Sequence, residues 1–416
     1  MKKFLATLIF SLGLMNFACA AGDTRGNAEI EPPKKLSASV DAFSRKYFAT
    51  LDHNENIFYS PYGIHAALSI LANGATGDTR EEILAAIDEK NLAELNKYHK
   101  IFSAFVEKNY RDKNLFMESN LLLIDKKICG RGLNNDFQRV VTGIYRSDVR
   151  EADFSGNIGG EKEKISRWVS EKTAGFIPNY NSIATSTTET DLLNVVYFKG
   201  VWRHPFRKNM LVKRDFTNRD GSKVKIDIMR RSFLEEIPFY CVDDKFKGII
   251  LPYSANAAMY LILPADEDAL NVAELWNAEE ISYRENFINN LSKTPPFDGY
   301  VDVHLPKCEL DIENNLVESF KAIGLEKSFS DGAEFFKIVN ETQLKIGNAQ
   351  HRAKILVDEE GTKAAAVTEI AMIETSAPPP TERPQCVSFY AERPFLFMIR
   401  DIKSGVMLFS GVVNQL

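Results

Sequence analysis

The feature that most constrains the fold is a change in the spacing of apolar residues near residue 120. Before that point, apolar residues recur three or four positions apart, as in Leu36, Val40, Phe43, Tyr47 and Leu51. This spacing is typical of a helix that buries one face. The chain is therefore expected to enter its folded part through an amphipathic helix.

Two further helices are predicted before residue 120. The apolar pattern continues over residues 64–72 and stops at Asn73 and the glycine after it, which is typical of a helix end. A third helix is predicted from Arg80, because Thr79 and Glu82 have the spacing of a capping box. The first third of the chain should be mainly helical.

After residue 120 the apolar residues form short runs bounded by turn residues, which is typical of β-strands. These runs are residues 121–124, 195–198, 248–252, 259–264, 301–305 and 406–413. Helices followed by strands in one chain predict an α+β protein. No internal repeat is visible, and no domain boundary is predicted after residue 35.

The N-terminus has the pattern of a secretory signal peptide. Two lysines precede an apolar run over residues 4–17, and an Ala-Cys-Ala motif predicts cleavage after residue 20, giving a signal peptide over residues 1–20. We therefore expect a secreted, extracellular protein with a polar linker over residues 21–35 and no transmembrane anchor. Lipidation of Cys19 is the alternative, disfavoured because Asn16 stands where a lipobox has leucine.

Charge and cysteine content argue against several other classes of protein. The chain has 51 basic and 57 acidic residues and a net charge of −6, without a dense basic stripe, so no nucleic acid partner is expected. The helical part also lacks the clustered basic residues that a polyanion cofactor would need. Four widely spaced cysteines remain after signal removal, which favours free thiols, with a disulfide bridge as the alternative.

Common catalytic motifs are missing from the sequence. It contains no Gly-x-Ser-x-Gly elbow, His-Glu-x-x-His pair, Cys-x-x-Cys, Walker loop or Gly-x-Gly-x-x-Gly turn. The six histidines are scattered singly, without the close pair of a helical metal site. We therefore expect no enzyme, metal or cofactor, although a catalytic triad assembled in space from distant residues stays open.

A series of short motifs resembles the serpin family of serine protease inhibitors, in that family's order. The motifs are FYSPYGI (58–64), TREEI (79–83), ISRWV (165–169), LNVVYFKGVW (193–202), LPY (251–253), LPK (305–307), DEEGT (358–362) and RPFLF (393–397). The resemblance covers nearly the whole mature chain and implies a single serpin domain over residues 36–416. It implies the α+β serpin fold, with three β-sheets, about nine helices and an exposed reactive loop over about residues 359–388.

The resemblance also implies a function, which is inhibition of a serine endopeptidase by a suicide-substrate mechanism. The target protease cleaves the loop and forms an acyl-enzyme. The cut loop then inserts into the main sheet as a new strand and traps the protease. The expected inhibitor is a monomer, and its expected partner is an elastase-like or subtilisin-like protease that prefers small or aliphatic residues. A non-inhibitory binding or carrier protein with the serpin fold is the alternative.

The hinge that starts the loop fits strand insertion, because every second side chain must enter a packed interior. The residues that match the family's hinge are Glu359, Gly361, Thr362, Ala364, Ala365, Ala366 and Val367. By alternation, Thr362, Ala364 and Ala366 share one small, uncharged face, while Lys363 stays on the opposite face. An alanine-rich helix or a flexible linker is the alternative for this run.

The scissile bond is predicted at Thr375-Ser376 by counting from Glu359 as in the family, and the two preceding bonds stay open. The loop is longer than in many serpins, with residues 376–385 resembling an insertion, so a shift toward Arg383 also stays open. Cleavage there is disfavoured because proline follows that arginine. The small and aliphatic residues around the predicted bond suit proteases with shallow primary pockets.

Four residues match family positions that control opening of the main sheet. Ser60, Asn194 and His351 match a buried polar cluster, and Trp202 matches an aromatic residue where the loop first enters. A hydrogen-bonded cluster can hold two strands together and still re-form after they part. Ordinary core packing is the alternative for each residue taken alone.

The sequence departs from the family's usual pattern at two positions near its motifs. Gly63 stands where the family usually has serine, and Gln415 replaces a common terminal proline. These departures concern the energetics of the sheet and leave the predicted fold unchanged.

Overall fold

Nine helices occur in the part of the chain that the computed structural model describes, which is residues 33–110, 115–130, 132–242, 244–340, 342–361 and 384–416. Most of them precede residue 175. They are α1 (Lys34–Phe48), α2 (Pro61–Gly74), α3 (Gly77–Ala86), α4 (Leu92–Asn109), α5 (Asn135–Gly143), α6 (Phe154–Lys172), α7 (Val272–Ala278), α8 (Ile281–Lys293) and α9 (Val317–Ala322).

The strands fill most of the remaining described chain. They are β1 (Ile57–Tyr59), β2 (Phe116–Asp125), β3 (Asp148–Ala152), β4 (Thr190–Phe198), β5 (Val212–Thr217), β6 (Lys223–Leu234), β7 (Phe239–Val242), β8 (Phe246–Pro252), β9 (Ala257–Pro264), β10 (Tyr300–Pro306), β11 (Cys308–Asn315), β12 (Asn348–Val357), β13 (Cys386–Tyr390), β14 (Phe395–Asp401) and β15 (Met407–Val413). Each of the six predicted apolar runs falls on one of these strands.

The described strands form three sheets. One sheet has the order β1-β15-β14-β9-β8-β7, and a second has the order β13-β10-β6-β5. The third, here called the main sheet, has the order β11-β12-β4-β2-β3. Three sheets and nine helices within the described residues confirm the predicted α+β serpin architecture.

The two faces of the main sheet are covered by different helices. On one face, Ile165, Trp168 and Val169 of α6 pack against Leu193 and Val195 of β4. On the other face, α2 approaches β4 closely, because a Cβ added at Gly63 would lie 2.9 Å from the side chain of Val196. Successive β4 side chains therefore point into two separate cores.

The predicted start of α3 is wrong. The helix begins at Gly77, and Thr79 and Glu82 form no capping box. The Thr79 hydroxyl accepts a hydrogen bond of 3.0 Å from the backbone N–H of Glu334, and the Glu82 carboxylate accepts one of 3.0 Å from that of Lys327. The two side chains therefore bind backbone groups that are distant in the sequence, and they do not cap their own helix.

The departure at Gln415 has a local explanation. Its backbone N–H donates a hydrogen bond of 3.0 Å to Asn56 Oδ1, which also accepts one of 2.7 Å from the N–H of Asn414. A proline at this position has no N–H to donate. The C-terminus is thus held by a bond that the usual family residue cannot make.

Further expectations from the sequence concern cysteines and membranes. All four cysteines that follow the predicted signal peptide lie among the described residues, and each is a free thiol, as predicted. Within the same described ranges, no helix combines the length and apolar character needed to cross a membrane.

Candidate functional site

The candidate site is the seam of the main sheet, defined here as the line along which β12 pairs with β4. The two strands pair directly and in parallel, from Asn348 opposite Asp191 to Lys354 opposite Tyr197. Beyond Lys354, the described pairing of β12 continues only with β11, as far as Val357. Parallel pairing is slightly less stable per residue than antiparallel pairing. Within the described residues, β12 and β4 are therefore paired from Asn348 to Lys354 of β12 and unpaired beyond Lys354. This unpaired end is here called the top of the seam.

Three of the predicted residues meet in the middle of the seam. The backbone N–H of Ser60 donates a hydrogen bond of 3.0 Å to His351 Nε2, and His351 Nδ1 lies 2.7 Å from Asn194 Oδ1. Because Nε2 accepts a bond from a backbone N–H, the single ring proton is on Nδ1 and is donated to Asn194. His351 thus joins β12 to β4 and to the start of α2.

All three side chains in this network are completely buried. Burial lowers the pKa of His351 to about 3, because the charged imidazolium is poorly solvated there. Protonation would also place two N–H groups face to face at Nε2. The network therefore holds the neutral imidazole.

The network extends beyond the seam in two directions. The Ser60 hydroxyl donates a hydrogen bond of 2.6 Å to the carbonyl oxygen of Leu408 on β15, and it accepts one of 3.0 Å from the N–H of Gly63. Asn194 Nδ2 donates a bond of 2.8 Å to Asn120 Oδ1 on β2. These bonds connect three strands of the main sheet with α2 and with another sheet.

Gly63 lets α2 pack directly against this network. A Cβ added at that residue would lie 2.7 Å from Asn194 Oδ1 and 3.1 Å from the Ser60 hydroxyl oxygen. Real Cβ contacts are essentially never so short as the first of these. The usual serine of the family would therefore require α2 or Asn194 to move.

Trp202 lies at the top of the seam, beyond the end of β4. Its ring stacks on Tyr253 with centroids 4.4 Å apart, and its Nε1–H donates a hydrogen bond of 3.0 Å to the carbonyl oxygen of Asp358. Its backbone N–H donates a bond of 2.9 Å to the carbonyl oxygen of Glu360. Trp202 thus contacts the segment that follows β12.

That segment reverses the direction of the chain. Asp358 and Gly361 exchange two backbone hydrogen bonds, of 2.8 and 3.2 Å, and Gly361 forms an antiparallel bridge with Val201. Gly361 has a φ of 146°, and an added Cβ would overlap the carbonyl oxygen of Gly200. Glycine is therefore required where the chain turns back toward the seam.

Charged side chains hold the same turn from both sides. Glu359 is buried and pairs with Lys307 at 2.9 Å, while the more exposed Glu360 pairs with Lys208 at 2.7 Å. Burial raises the pKa of Asp358, whose Oδ1 accepts the N–H groups of Glu360 and Gly361. Three consecutive acidic residues thus have three separate sets of partners.

The structure groups the predicted site residues into two places. Ser60, Asn194 and His351 form one network, whereas Trp202 lies apart from them, next to Glu359 and Gly361 of the predicted hinge. The other predicted site residues are Thr362, Ala364, Ala365, Ala366, Val367, Thr375 and Ser376, and they lie outside the described residues. Their roles, and the roles of the four sheet-opening residues, stay predictions.

Several contributors to the site were not predicted as site residues, and Asn120 and Lys307 are two of them. Asn120 stands directly opposite Asn194 in the pairing of β2 with β4, and Lys307 binds Glu359. Asn120 follows Glu118 and Ser119, so its sequence context is typical of a turn before a strand. Lys307 belongs to the LPK motif, which indicated the family and gave no sign of an ion pair.

Comparisons with known proteins agree with this geometry. A family profile described as Serpin (serine protease inhibitor) matches residues 38–416. Iripin-1 of Ixodes ricinus is 29% identical over 391 residues, which cover 92% of this chain and 95% of that relative.

Solved structures with the same fold include two serpins at 24% identity. Native tengpin, a thermophilic serpin, matches with a TM-score of 0.78 over 92% of this chain and 94% of its own. Human thyroxine-binding globulin also matches with a TM-score of 0.78, over 92% of this chain and 98% of its own. With a family profile that spans nearly the whole chain, these findings establish that the protein belongs to the serpin family.

Proposed function

We propose that this serpin is a secreted inhibitor of serine endopeptidases that acts as a suicide substrate. Serpins are mostly protease inhibitors and are generally not catalytic enzymes. The observation that carries the proposal is the turn at Asp358–Gly361, which brings the chain from the end of β12 to a position beside Val201. A strand that continued from Gly361 would run antiparallel to both β12 and β4.

Strand insertion at the seam has a clear physical advantage. A strand placed there would replace one parallel pair by two antiparallel pairs, and antiparallel pairing is the more stable of the two. Added ladder hydrogen bonds and buried side chains would supply further free energy. This gain supports a mechanism in which a cleaved loop enters the sheet and carries the bound protease with it.

The closed seam supplies the matching barrier to insertion. Separation of β12 from β4 breaks the bond from His351 to Asn194, and both partners are buried, so neither can bond to water at that point. Once the strands have parted, the side chains of His351 and Asn194 can each form a hydrogen bond with a new partner. The intact protein would stay closed until cleavage releases the loop.

The loop sequence supports a target with a shallow primary pocket. We propose cleavage at Thr375-Ser376, with insertion of the small face formed by Thr362, Ala364 and Ala366. Proteases of the elastase or subtilisin type accept such small and aliphatic residues. The inhibitor would act as an extracellular monomer without a cofactor or nucleic acid.

A protease panel tests this function. The protein is incubated with elastase-like, subtilisin-like and trypsin-like enzymes, and covalent complexes are detected on denaturing gels. We expect a stable complex with an elastase-like or subtilisin-like enzyme and a released peptide that begins at Ser376. A peptide that begins at residue 384 would overturn the assigned bond, and the absence of any stable complex would contradict inhibition.

A pair of loop variants tests the mechanism. Thr362→Arg places a charge on the inserting face, which would cost several kcal/mol and turn the inhibitor into a substrate. Ala365→Arg places the same charge on the opposite face and serves as the matched control. Equal loss of inhibition in both variants would contradict the predicted alternation.

A binding or carrier protein is the second candidate, because some serpins, such as thyroxine-binding globulin, do not inhibit proteases. The observation that favours it is a cavity of about 810 Å³ lined by residues of α1, α8 and β14. Asp41 Oδ1 and Arg284 Nε in its wall are buried without hydrogen-bond partners. If loop-cleaved and intact protein melt at the same temperature, the carrier function is favoured, because an inserted strand should raise the melting temperature.

A further inference from the structure

Two buried histidines contact each other between α2 and α4, away from the seam. His65 on α2 and His99 on α4 are completely buried, and His65 Nδ1 lies 3.2 Å from His99 Nε2. The Ser39 hydroxyl on α1 lies 2.7 Å from His65 Nε2, and the Ser69 hydroxyl lies 3.1 Å from His99 Nε2. The sequence alone indicated only scattered single histidines.

The two serine hydroxyls determine where the ring protons are. Ser39 donates its proton to the carbonyl oxygen of Ile87 at 2.7 Å, so it must accept the proton of His65 Nε2. Ser69 donates its proton to the carbonyl oxygen of His65 at 2.7 Å, so His99 Nε2 must carry a proton as well. His65 Nδ1 is therefore the unprotonated acceptor that faces His99.

This arrangement has no place for another proton. His99 Nδ1 is the remaining acceptor of the pair, and it is buried without a hydrogen-bond partner. A proton on His65 Nδ1 would instead face the N–H of His99. A proton added at His99 Nδ1 would likewise have no acceptor, so the neutral form of both rings is the one that this buried site favours.

The groups packed around the pair offer little compensation for a positive charge. The ring of Phe43 on α1 faces His65, and Tyr62 on α2 and Tyr145 after α5 face His99. The nearby acidic group is Glu89 after α3, which is half-buried and lies beside Ser39, one hydrogen bond away from His65. No carboxylate among the described residues forms a hydrogen bond or ion pair with either ring.

Burial lowers the pKa of His65 to about 3 and holds that of His99 well below its ordinary value of 6.5. An unfolded or opened chain therefore binds more protons than the closed one between about pH 6.5 and about pH 3. The stabilisation that the pair provides is complete above pH 6.5 and is lost as the pH falls through this window.

The pair is connected to the seam through α2. Ser60 caps the N-terminus of this helix and donates its backbone N–H to His351, and His65 lies little more than one turn further along the same helix. The side chain of Ser60 also binds β15. A displacement of α2 that relieves His65 would therefore pull on the residue that holds β12.

We propose that the His65–His99 pair is a proton-binding site through which acidification displaces α2 and opens the seam between β4 and β12. Opening here needs neither loop cleavage nor a protease. The inference rests on the proposed function only for its consequence, which is loss of inhibitory activity by premature sheet opening. Its test can therefore be made on the intact protein without any enzyme.

The test measures amide hydrogen exchange in peptides that cover β4 and β12, corrected for the intrinsic pH dependence of exchange. Below about pH 6 we expect the fraction of open molecules to rise by up to about tenfold per pH unit for each proton taken up. His99→Gln keeps a donor for His65 and cannot titrate, so the rise in this variant should be weaker by up to about tenfold per pH unit, which is the contribution of one proton. His53→Gln, which changes a partly exposed histidine next to Phe48, is the control and should behave like the wild type.

Several outcomes would overturn the proposal. One is an equal rise in wild type and His99→Gln, and another is a rise abolished only by His351→Gln. A simultaneous and equal rise in β10, which belongs to another sheet, would indicate global unfolding instead of seam opening. Failure of the protease panel alone would leave this exchange result unaffected.

A measurement on the unmodified protein covers the case in which His99→Gln fails to fold. Nitrogen-15 NMR of labelled histidines distinguishes the two neutral tautomers from the charged ring. We expect His65 and His99 to be neutral at about pH 7, each with its proton on Nε2, and to titrate only together with seam opening. Either ring titrating near its ordinary pKa while the seam stays closed would refute the inference.

Discussion

The middle and the top of the seam hold β4 and β12 by different physical means. In the middle, His351 and Asn194 are buried, neutral and bonded through one assigned proton, with α2 in close contact at Gly63. At the top, Glu360 and Lys208 form an ion pair that reaches solvent. A bond lost in the middle leaves buried groups without partners, whereas water can replace the exposed ion pair of Glu360 and Lys208 at the top.

This difference suggests a division of roles along the seam. The middle should determine how stable the closed sheet is, because its bonds are made or lost together. At the top, each contact should make a small and separate contribution to how firmly the segment after β12 is held against Trp202. Four substitutions, from the largest expected effect to the smallest, test whether the two regions differ in this way.

His351→Ala should have the largest effect. It leaves the N–H of Ser60 and the side-chain oxygen of Asn194 without their partner and removes a buried ring, so we expect the free energy of unfolding to fall by about 3 kcal/mol. Urea denaturation measures it, with His53→Ala as the control. A loss no larger than that of the control would show that the network does not hold the seam.

Gly63→Ser should have the next largest effect, although serine is the usual family residue. The added Cβ meets Asn194 Oδ1, and overpacking of this kind costs about 2 kcal/mol. Gly159→Ser is the matched control, because that glycine lies in α6 and an added Cβ would have no atom within 4 Å apart from its chain neighbours and the nearby backbone of its own helix. Similar denaturation midpoints for the two variants would mean that α2 has room to shift.

Trp202→Phe tests the top of the seam. The variant keeps an aromatic ring over Tyr253 but loses the N–H that binds the carbonyl oxygen of Asp358, so we expect a loss of about 1 kcal/mol. Faster amide exchange at residues 358–361 is the more specific readout. Trp276→Phe, remote from the turn, should leave exchange there unchanged, and an equal increase in both variants would argue against a local role for Trp202.

Lys208→Gln should have the smallest effect. The side chains of Lys208 and Glu360 are 71% and 29% exposed, and exposed ion pairs of this kind contribute little to stability. Because salt screens such pairs, the difference from wild type should vanish at about 1 M salt. A larger, salt-independent loss would mean that the top resembles the middle, and the contrast between the regions would fail.

The sequence predicted the fold better than it predicted the site. Apolar runs such as residues 195–198 and 259–264 mark strands whose side chains are buried on both faces. In β11, by contrast, acidic residues alternate with apolar ones and pair with Arg352 and Lys354 of β12, so no apolar run is visible. The order of the motifs along the chain, and not the hydrophobic pattern, indicated that these strands belong to a serpin fold.

The contacts that make up the site depend on distances that spacing does not reveal. The motifs suggested that His351 and Asn194 belong together, but the proton on Nδ1 follows only from the bond donated by Ser60. The fit of Gly63 against Asn194 likewise needs the position of α2. The apparent capping box at Thr79 misled for the same reason, since its true partner lies at Glu334.

In the proposed mechanism, the turn at Asp358–Gly361 would affect the kinetics of insertion. Adding a strand ordinarily begins with a nucleation step, in which a loop closes and loses conformational entropy before any ladder bond compensates. Here the reversal is already formed while the sheet is closed, and Gly361 already lies opposite Val201. Insertion would therefore start in its propagation phase with the register already set. The rate at which β12 separates from β4 would then determine whether the loop inserts before the protease hydrolyses the acyl-enzyme.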